Sequence, residues 1–182
     1  MQEAAHVLAI IGAGTAGRRF ALACAAAGFD VILEDVMPAN LRRAQDEYQS
    51  LQSRGKLTVA LTVEEAVRRA DIAIDFVPDE LESKLEIFSL MDRMAPPRTI
   101  FCTPSEALSI TDLASCVYRP DLCFALRGDL AGEGSVRILY PEKHSAEALS
   151  AVTSVFAALG RTPKTEPDPD VPMLMKNLVA RP

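Results

Sequence analysis

At 182 residues, 49% hydrophobic and 24% charged, the chain has the size and balance of one soluble globular domain with a proper core. Its formal net charge of −6 argues against a nucleic-acid partner, which would need a concentrated excess of Lys and Arg. No apolar run reaches the roughly 18 residues that span a bilayer, and Met1-Gln2-Glu3 lacks the basic start of a signal peptide. A cytoplasmic protein with no membrane partner is expected.

Short apolar runs alternate with helical patterns along the chain, the signature of a parallel sheet with helices on both faces. His6 to Ile11 reads as a buried strand ending at Gly12. An Ala-rich helix follows from Thr15 to Ala27, stopped by Gly28. Val31-Ile32-Leu33 is the second strand, and Pro38 suits the first turn of a helix running to Arg54 and stopped by Gly55. Thr62 and Glu65 have capping-box spacing and open a short helix into Arg69. Ile72-Ala73-Ile74 is the next strand, and Leu81, Leu85, Phe88 and Met91 form one stripe of the helix after it. Strands are expected at Thr99–Cys102, Leu122–Leu126 and Val136–Tyr140, then a helix through Leu149, Val152, Phe156 and Leu159, closed by Gly160.

Five of the twelve prolines (Pro163, Pro167, Pro169, Pro172, Pro182) fall in the last twenty residues, so most of that tail cannot be a regular element. The domain is therefore read as residues 1–165, with 166–182 a Pro-rich tail. Pro172 to Val179 is the most apolar part of it and a candidate contact in a homodimer. The four cysteines, Cys24, Cys102, Cys116 and Cys123, have no spacing suited to a metal, and no metal site is expected. They read as reduced, mostly buried thiols.

The strand-turn-helix at the start carries Gly12-Ala13-Gly14-Thr15-Ala16-Gly17, a complete GxGxxG. Gly12 permits the tight turn, Gly14 lets the backbone approach a pyrophosphate, and Gly17 lets helix and strand pack closely. The helix start, with Thr15 and Ala16, offers free N–H groups and a positive dipole end to phosphates. Alone the motif is weak. Here an acid completes it: Asp35, 23 residues after Gly12, is placed to accept hydrogen bonds from the adenosine ribose. Val36-Met37 supplies no Arg for a 2′-phosphate, so NAD is favoured over NADP. The alternative is a structural βα turn with Asp35 merely ending a strand. The fold expected is α/β, a Rossmann-type doubly wound, mostly parallel sheet in a single domain.

Beyond the fingerprint, residues 6 to 165 resemble the NAD-binding domain of the L-3-hydroxyacyl-CoA dehydrogenase family. Ala70 to Pro78 resembles its fourth strand and the turn that lies against the cofactor, which includes Val77. Glu80 to Phe88 resembles the next helix with its Lys and Phe. Leu108 to Thr111, Arg119-Pro120-Asp121 and the turn Gly160-Arg161-Thr162-Pro163 into a last strand also match. The resemblance implies an NAD(H)-dependent oxidoreductase of fatty acid metabolism with an acyl-CoA-like substrate. It makes Lys84 a cofactor contact, although a solvated helix position is the other reading.

The family's chemistry uses a His that takes the hydroxyl proton and a Glu that orients it. By resemblance Arg127 stands at the position of the His and Leu139, or a neighbour, at that of the Glu. Pro104-Ser105-Glu106 replaces an Asn-Thr-Ser stretch that helps bind the substrate oxygen. An Arg with a pKa above about 12 cannot act as a base near neutral pH. His6 lies at the wrong edge of the sheet and His144 reads as a surface residue beside the last helix. No counterpart of the family's helical domain is read in the chain. The catalytic residue is therefore unknown, with Glu106, Asp129 and Tyr140 unranked. Three functions stay open: a divergent oxidoreductase inactive in the family reaction, a non-enzymatic NAD(H) sensor or a subunit completing a site with another chain, and a dehydrogenase of a small anionic substrate. In the last, Arg127 is an anion clamp; otherwise it is an exposed Arg paired with Asp129.

Overall fold

The computed structural model describes residues 7–170 together with 173 and 174. One eight-stranded sheet holds β1 (Val7–Ile11), β2 (Asp30–Glu34), β3 (Leu57–Ala60), β4 (Ile72–Asp75), β5 (Ile100–Pro104), β6 (Cys123–Gly128), β7 (Val136–Tyr140) and β8 (Lys164–Pro167). Their order across the sheet is β3-β2-β1-β4-β5-β6-β7-β8, and only the β6–β7 pair is antiparallel. This is the doubly wound α/β fold that the alternating pattern implied.

The period-2 alternation of the strands divides the core in two. Leu8, Ile10, Val31, Leu33, Ile72, Ile74, Phe124 and Leu126 face α1 (Thr15–Ala27), α2 (Pro38–Gln49) and α6 (Ala146–Ala158). Ala9, Ile11, Ile32, Ala73, Phe101, Ala125 and Leu139 face α3 (Val63–Val67), α4 (Leu81–Met94) and α5 (Ile110–Ala114). Burial on both faces explains why β1 and β4 read as continuous apolar runs. The helix starts carry the expected caps: Thr62 accepts from the Glu65 N–H at 3.2 Å, and the Glu65 carboxylate reaches back to the Leu61 N–H at 3.1 Å. Gly28 closes α1 at φ 113°, a left-handed conformation that glycine adopts without strain.

Several boundaries differ from the sequence reading. Helix α2 stops at Gln49, five residues short of Arg54, and Gly55 is not its stop signal. Gly55 instead abuts Phe29, where a Cβ would stand 2.0 Å from the Phe29 carbonyl oxygen. The Tyr48 hydroxyl donates to the Gly55 carbonyl at 2.9 Å, and the Gly55 N–H donates to Ala25 at 3.0 Å, so the loop folds back on α1. Strand β3 was not expected. It is a half-buried edge strand of four residues, too short for a clear alternation. Helix α5 was also missed, although Ser109 caps it by accepting from the Asp112 N–H at 3.2 Å, the signal that was read at Thr62. Strand β8 lies within the Pro-rich stretch. Pro163 precedes it and Pro167 ends it, and an edge strand tolerates proline in those places.

Cys24, Cys102 and Cys123 are buried free thiols, whereas Cys116 is exposed. Burial pushes all four thiols up, which leaves them poor nucleophiles. Among the described residues, no helix is long and apolar enough to cross a membrane. His6 and most of the candidate dimer segment lie outside the described residues; of that segment only Met173 and Leu174 are seen.

The close approach at Gly55 gives a direct test. Gly55→Ala should destabilise the fold by roughly 2–3 kcal/mol, because the neighbour is backbone and cannot swing aside. Urea unfolding of the two proteins measures this.

Candidate dinucleotide site

The site forms where β1 ends and α1 begins, beside β2 and β4. Gly12 has φ 101°, and its N–H donates to the Glu34 carbonyl at 2.8 Å. At Gly17 a Cβ would stand 1.9 Å from the Gly12 carbonyl oxygen and 3.2 Å from Phe76 Cβ, so only glycine lets α1 come this close to β1 and β4. Gly14 is different. A Cβ there would meet nothing within 4 Å, and its φ of −62° suits any residue. Nothing in the protein itself requires that glycine; it leaves an open cradle. Gly14, Thr15 and Ala16 are exposed at the start of α1. No side chain caps that helix and no acidic residue occupies its first turn. A bare, positive helix end beside an open glycine cradle fits a pyrophosphate.

Asp35 stands at the end of β2, 9% exposed. The Ala13 N–H of the glycine loop donates to its Oδ2 at 2.7 Å, and the Met37 N–H donates to Oδ1 at 2.7 Å. Asn40 Nδ2 donates to Oδ2 at 3.1 Å. Oδ2 thus has two donors and Oδ1 one, so the group is fixed in place with a lone pair of Oδ1 left for a ribose hydroxyl. Glu34 beside it is buried, and burial, then the Asp35 charge, pushes its carboxyl above the usual range. Arg18 in α1 is engaged by Glu47 at 3.1 Å and the Ala13 carbonyl at 3.4 Å.

Across β1 the turn after β4 follows the same line. Phe76 donates to the Ile11 carbonyl at 2.6 Å and packs its ring 5.8 Å from Phe20, while Val77 is half-buried. Lys84 is not a solvated helix position. It is 1% exposed, with its Nζ 2.7 Å from Oδ1 of the fully buried Asp75. Burial pushes the Asp75 carboxyl up, against the opposing pull of Lys84. Sequence reasoning passed over both Asn40 and Asp75; the signal for the second was an acid embedded in an apolar run.

Arg127 is neither exposed nor paired with Asp129. It is 6% exposed, its Nε donates to the Ser105 carbonyl at 2.7 Å, and its Nη2 donates to the Leu108 carbonyl at 3.3 Å and to Asp170. Asp129 accepts instead from Gly132 and Gly134 in its own loop, at 2.9 and 3.3 Å. Leu139 is fully buried in the α5-side core, opposite Ala125. Tyr140 stacks on His144 at 4.1 Å, away from the ends of β1 and β4. Glu106 follows β5, and its Oε1 accepts from the Gly128 N–H at 3.2 Å.

The profile of the family described as "3-hydroxyacyl-CoA dehydrogenase, NAD binding domain" matches residues 7–127. The chain belongs to that family. Its cofactor is NAD, and it is related to oxidoreductases. A probable 3-hydroxybutyryl-CoA dehydrogenase of Bacillus subtilis (strain 168) is 33% identical over 127 residues, 61% of this chain and 44% of the relative. A 3-hydroxyadipyl-CoA dehydrogenase of Escherichia coli (strain K12) is 32% identical over 132 residues, 64% of this chain and 28% of the relative. The chain thus spans less than half the length of either. Among solved structures, (S)-3-hydroxybutyryl-CoA dehydrogenase from Ralstonia eutropha superposes with a TM-score of 0.81 at 21% identity, over 90% of this chain and 64% of that one. This last likeness concerns the fold.

Three outcomes follow from the geometry. NADH should bind at least tenfold tighter than NADPH, about 1.4 kcal/mol or more, and Asp35→Ala should narrow that gap; equal affinities in the wild type would contradict the role given to Asp35. Gly14→Ala should leave stability within about 1 kcal/mol while weakening NADH binding at least about tenfold, because its methyl would enter the cradle and touch no protein atom. Lys84→Met strands a buried carboxylate and should cost roughly 3–5 kcal/mol in urea unfolding, much of it regained when Asp75→Leu is added.

Proposed function

We propose that this chain holds NAD(H) in the crevice above β2, β1 and β4, and that it does not move the substrate proton by the family's route. The observation that carries the reading is Arg127. It stands where the resemblance places the proton-accepting His, and a guanidinium with a pKa above about 12 has no lone pair to offer near neutral pH. Its burial, its two carbonyl partners and Asp170 support a structural role. Leu139, at the position of the orienting Glu, lies in the core and can neither orient nor charge an imidazole.

In this reading Gly12, Gly14, Thr15, Ala16 and Gly17 admit and neutralise the pyrophosphate. Asp35, steadied by Ala13, Met37 and Asn40, takes a ribose hydroxyl on Oδ1. Val77 borders the crevice, and Lys84 with Asp75 stiffens the floor beneath the turn after β4. When bound, the nicotinamide supplies hydride chemistry. The use of Arg127 to clamp a small anionic substrate gains no support, since Asp170 already occupies its Nη2. A protein that reads or carries NAD(H), or that completes a site with another chain, fits the same observations.

A positioned general base contributes roughly 10²–10⁴-fold in rate. The wild-type chain should therefore reduce acetoacetyl-CoA with NADH only at a trace level, followed as loss of NADH absorbance. Arg127→His should not restore the reaction. Turnover of about one per second or faster would show that another group carries the proton and would overturn this reading.

A further inference from the structure

Asp35 closes β2 and the glycine cradle closes β1, so a dinucleotide seated on both runs in one direction across the sheet. With the strands in the order β2-β1-β4-β5-β6, its adenosine would lie toward β2, its pyrophosphate at the start of α1, and its second nucleoside toward β4 and β5. The rim at that end is built by a chain of three residues. Asp79, in the turn after β4, accepts from the Glu106 N–H at 2.9 Å. Glu106, after β5, in turn accepts from the Gly128 N–H at the end of β6 at 3.2 Å. Glu106 is thereby held at the ends of β5 and β6, and it is exposed.

The charges around it are unequal. Lys84 is neutralised by Asp75, and Arg127 by Asp170. The Asp129 carboxylate is turned into its own loop. Asp79 and Glu106 belong to no ion pair among the described residues; their carboxylates accept only from backbone N–H groups. Among the described residues the rim of the distal half of the crevice is thus anionic, and Lys84 and Arg127 are each paired with a carboxylate. The nicotinamide ring carries a positive charge when oxidised and none when reduced. A carboxylate a few ångströms away therefore distinguishes the two forms by a Coulomb interaction that grows as bound cofactor excludes water.

We propose that Glu106 makes this site select the oxidised form of the cofactor. The inference rests on the NAD(H) reading above and adds to it a residue that sets redox-state preference. The test is calorimetric titration of the wild type, Glu106→Gln and Glu106→Asp with NAD+ and with NADH at low salt. Glu106→Gln keeps an oxygen for the Gly128 N–H and removes only the charge. It should raise the ratio of the NAD+ to the NADH dissociation constant by about three- to tenfold, mainly by weakening NAD+. Glu106→Asp, which keeps the charge, should stay nearer the wild type, and the effect of Glu106→Gln should shrink in high salt. An unchanged ratio in a Glu106→Gln protein whose thermal unfolding matches the wild type overturns the proposal and leaves the cofactor reading intact. Failure of the wild type to bind either dinucleotide overturns both.

Discussion

Where the chain leaves β1 for α1, the Gly12 carbonyl oxygen and the Gly17 Cα lie so close that a methyl group on Gly17 would stand 1.9 Å from that oxygen. Phe76 closes the same contact from β4. The start of α1, the end of β1 and the turn after β4 therefore meet at one point, with no room for a side chain on Gly17. The approach fixes where the first turn of α1 points, and that turn carries the free N–H groups. It also aligns the ends of β1, β2 and β4, because Gly12 and Phe76 each bond to the strand beside them. A larger residue at position 17 would move the helix start, the cradle at Gly14 and the Ala13 N–H that steadies Asp35 together.

The two ends of the crevice are organised differently. At the adenosine end an acid is held by three donors, one of them from the glycine loop itself, so loop and acid are set as one unit. Little rearrangement is left for binding to induce there, the condition under which a polar contact favours one ligand over its near analogue. At the distal end the cationic side chains face inward. Lys84 is buried together with Asp75, and buried Arg127 pairs with half-buried Asp170, so removing either carboxylate would leave an uncompensated cation in the interior. The exposed rim keeps only acids. Burial of the cations is what gives that rim its sign.

Much of this was legible in the sequence, for identifiable reasons. The six central strands and the long helices announced themselves through apolar runs bounded by glycine and through caps whose chemistry is local, as at Thr62 and Gly28. The elements that escaped were short or at edges. Strand β3 and helix α5 have four and five residues, whereas β8, set between prolines that look like breakers, was expected only through the resemblance of the Gly160 to Pro163 turn. Gly55 reads as a helix stop because sequence does not separate a glycine needed for φ from one needed for space. The glycine loop and Asp35 were found because both lie within one βαβ unit, where spacing along the chain dictates spacing in the fold. Asn40, Asp75 and the partner of Arg127 were not, since each depends on which strand ends lie side by side.

Arg127 is buried on partners that neither sequence reading, an anion clamp or an exposed Arg paired with Asp129, included. A guanidinium on the end of a strand at a ligand crevice can hold an anion or brace the backbone, and its residue type is right for both. Here it faces α5 and bonds the carbonyls of Ser105 and Leu108, which shape the loop between β5 and α5. Asp170 joins it from beyond β8, while Asp168 accepts from the Ser109 hydroxyl and the Thr111 N–H at 2.7 and 2.9 Å. Buried Asp112 accepts the N–H groups of Met173 and Leu174 at 2.7 and 3.0 Å. Three carboxylates thus tie the segment after β8 to α5 and β6, and Arg127 is the cation in that joint. A base at position 127 would need a mobile proton, whereas a joint needs a charge that never leaves. The two demands exclude one another in a single side chain.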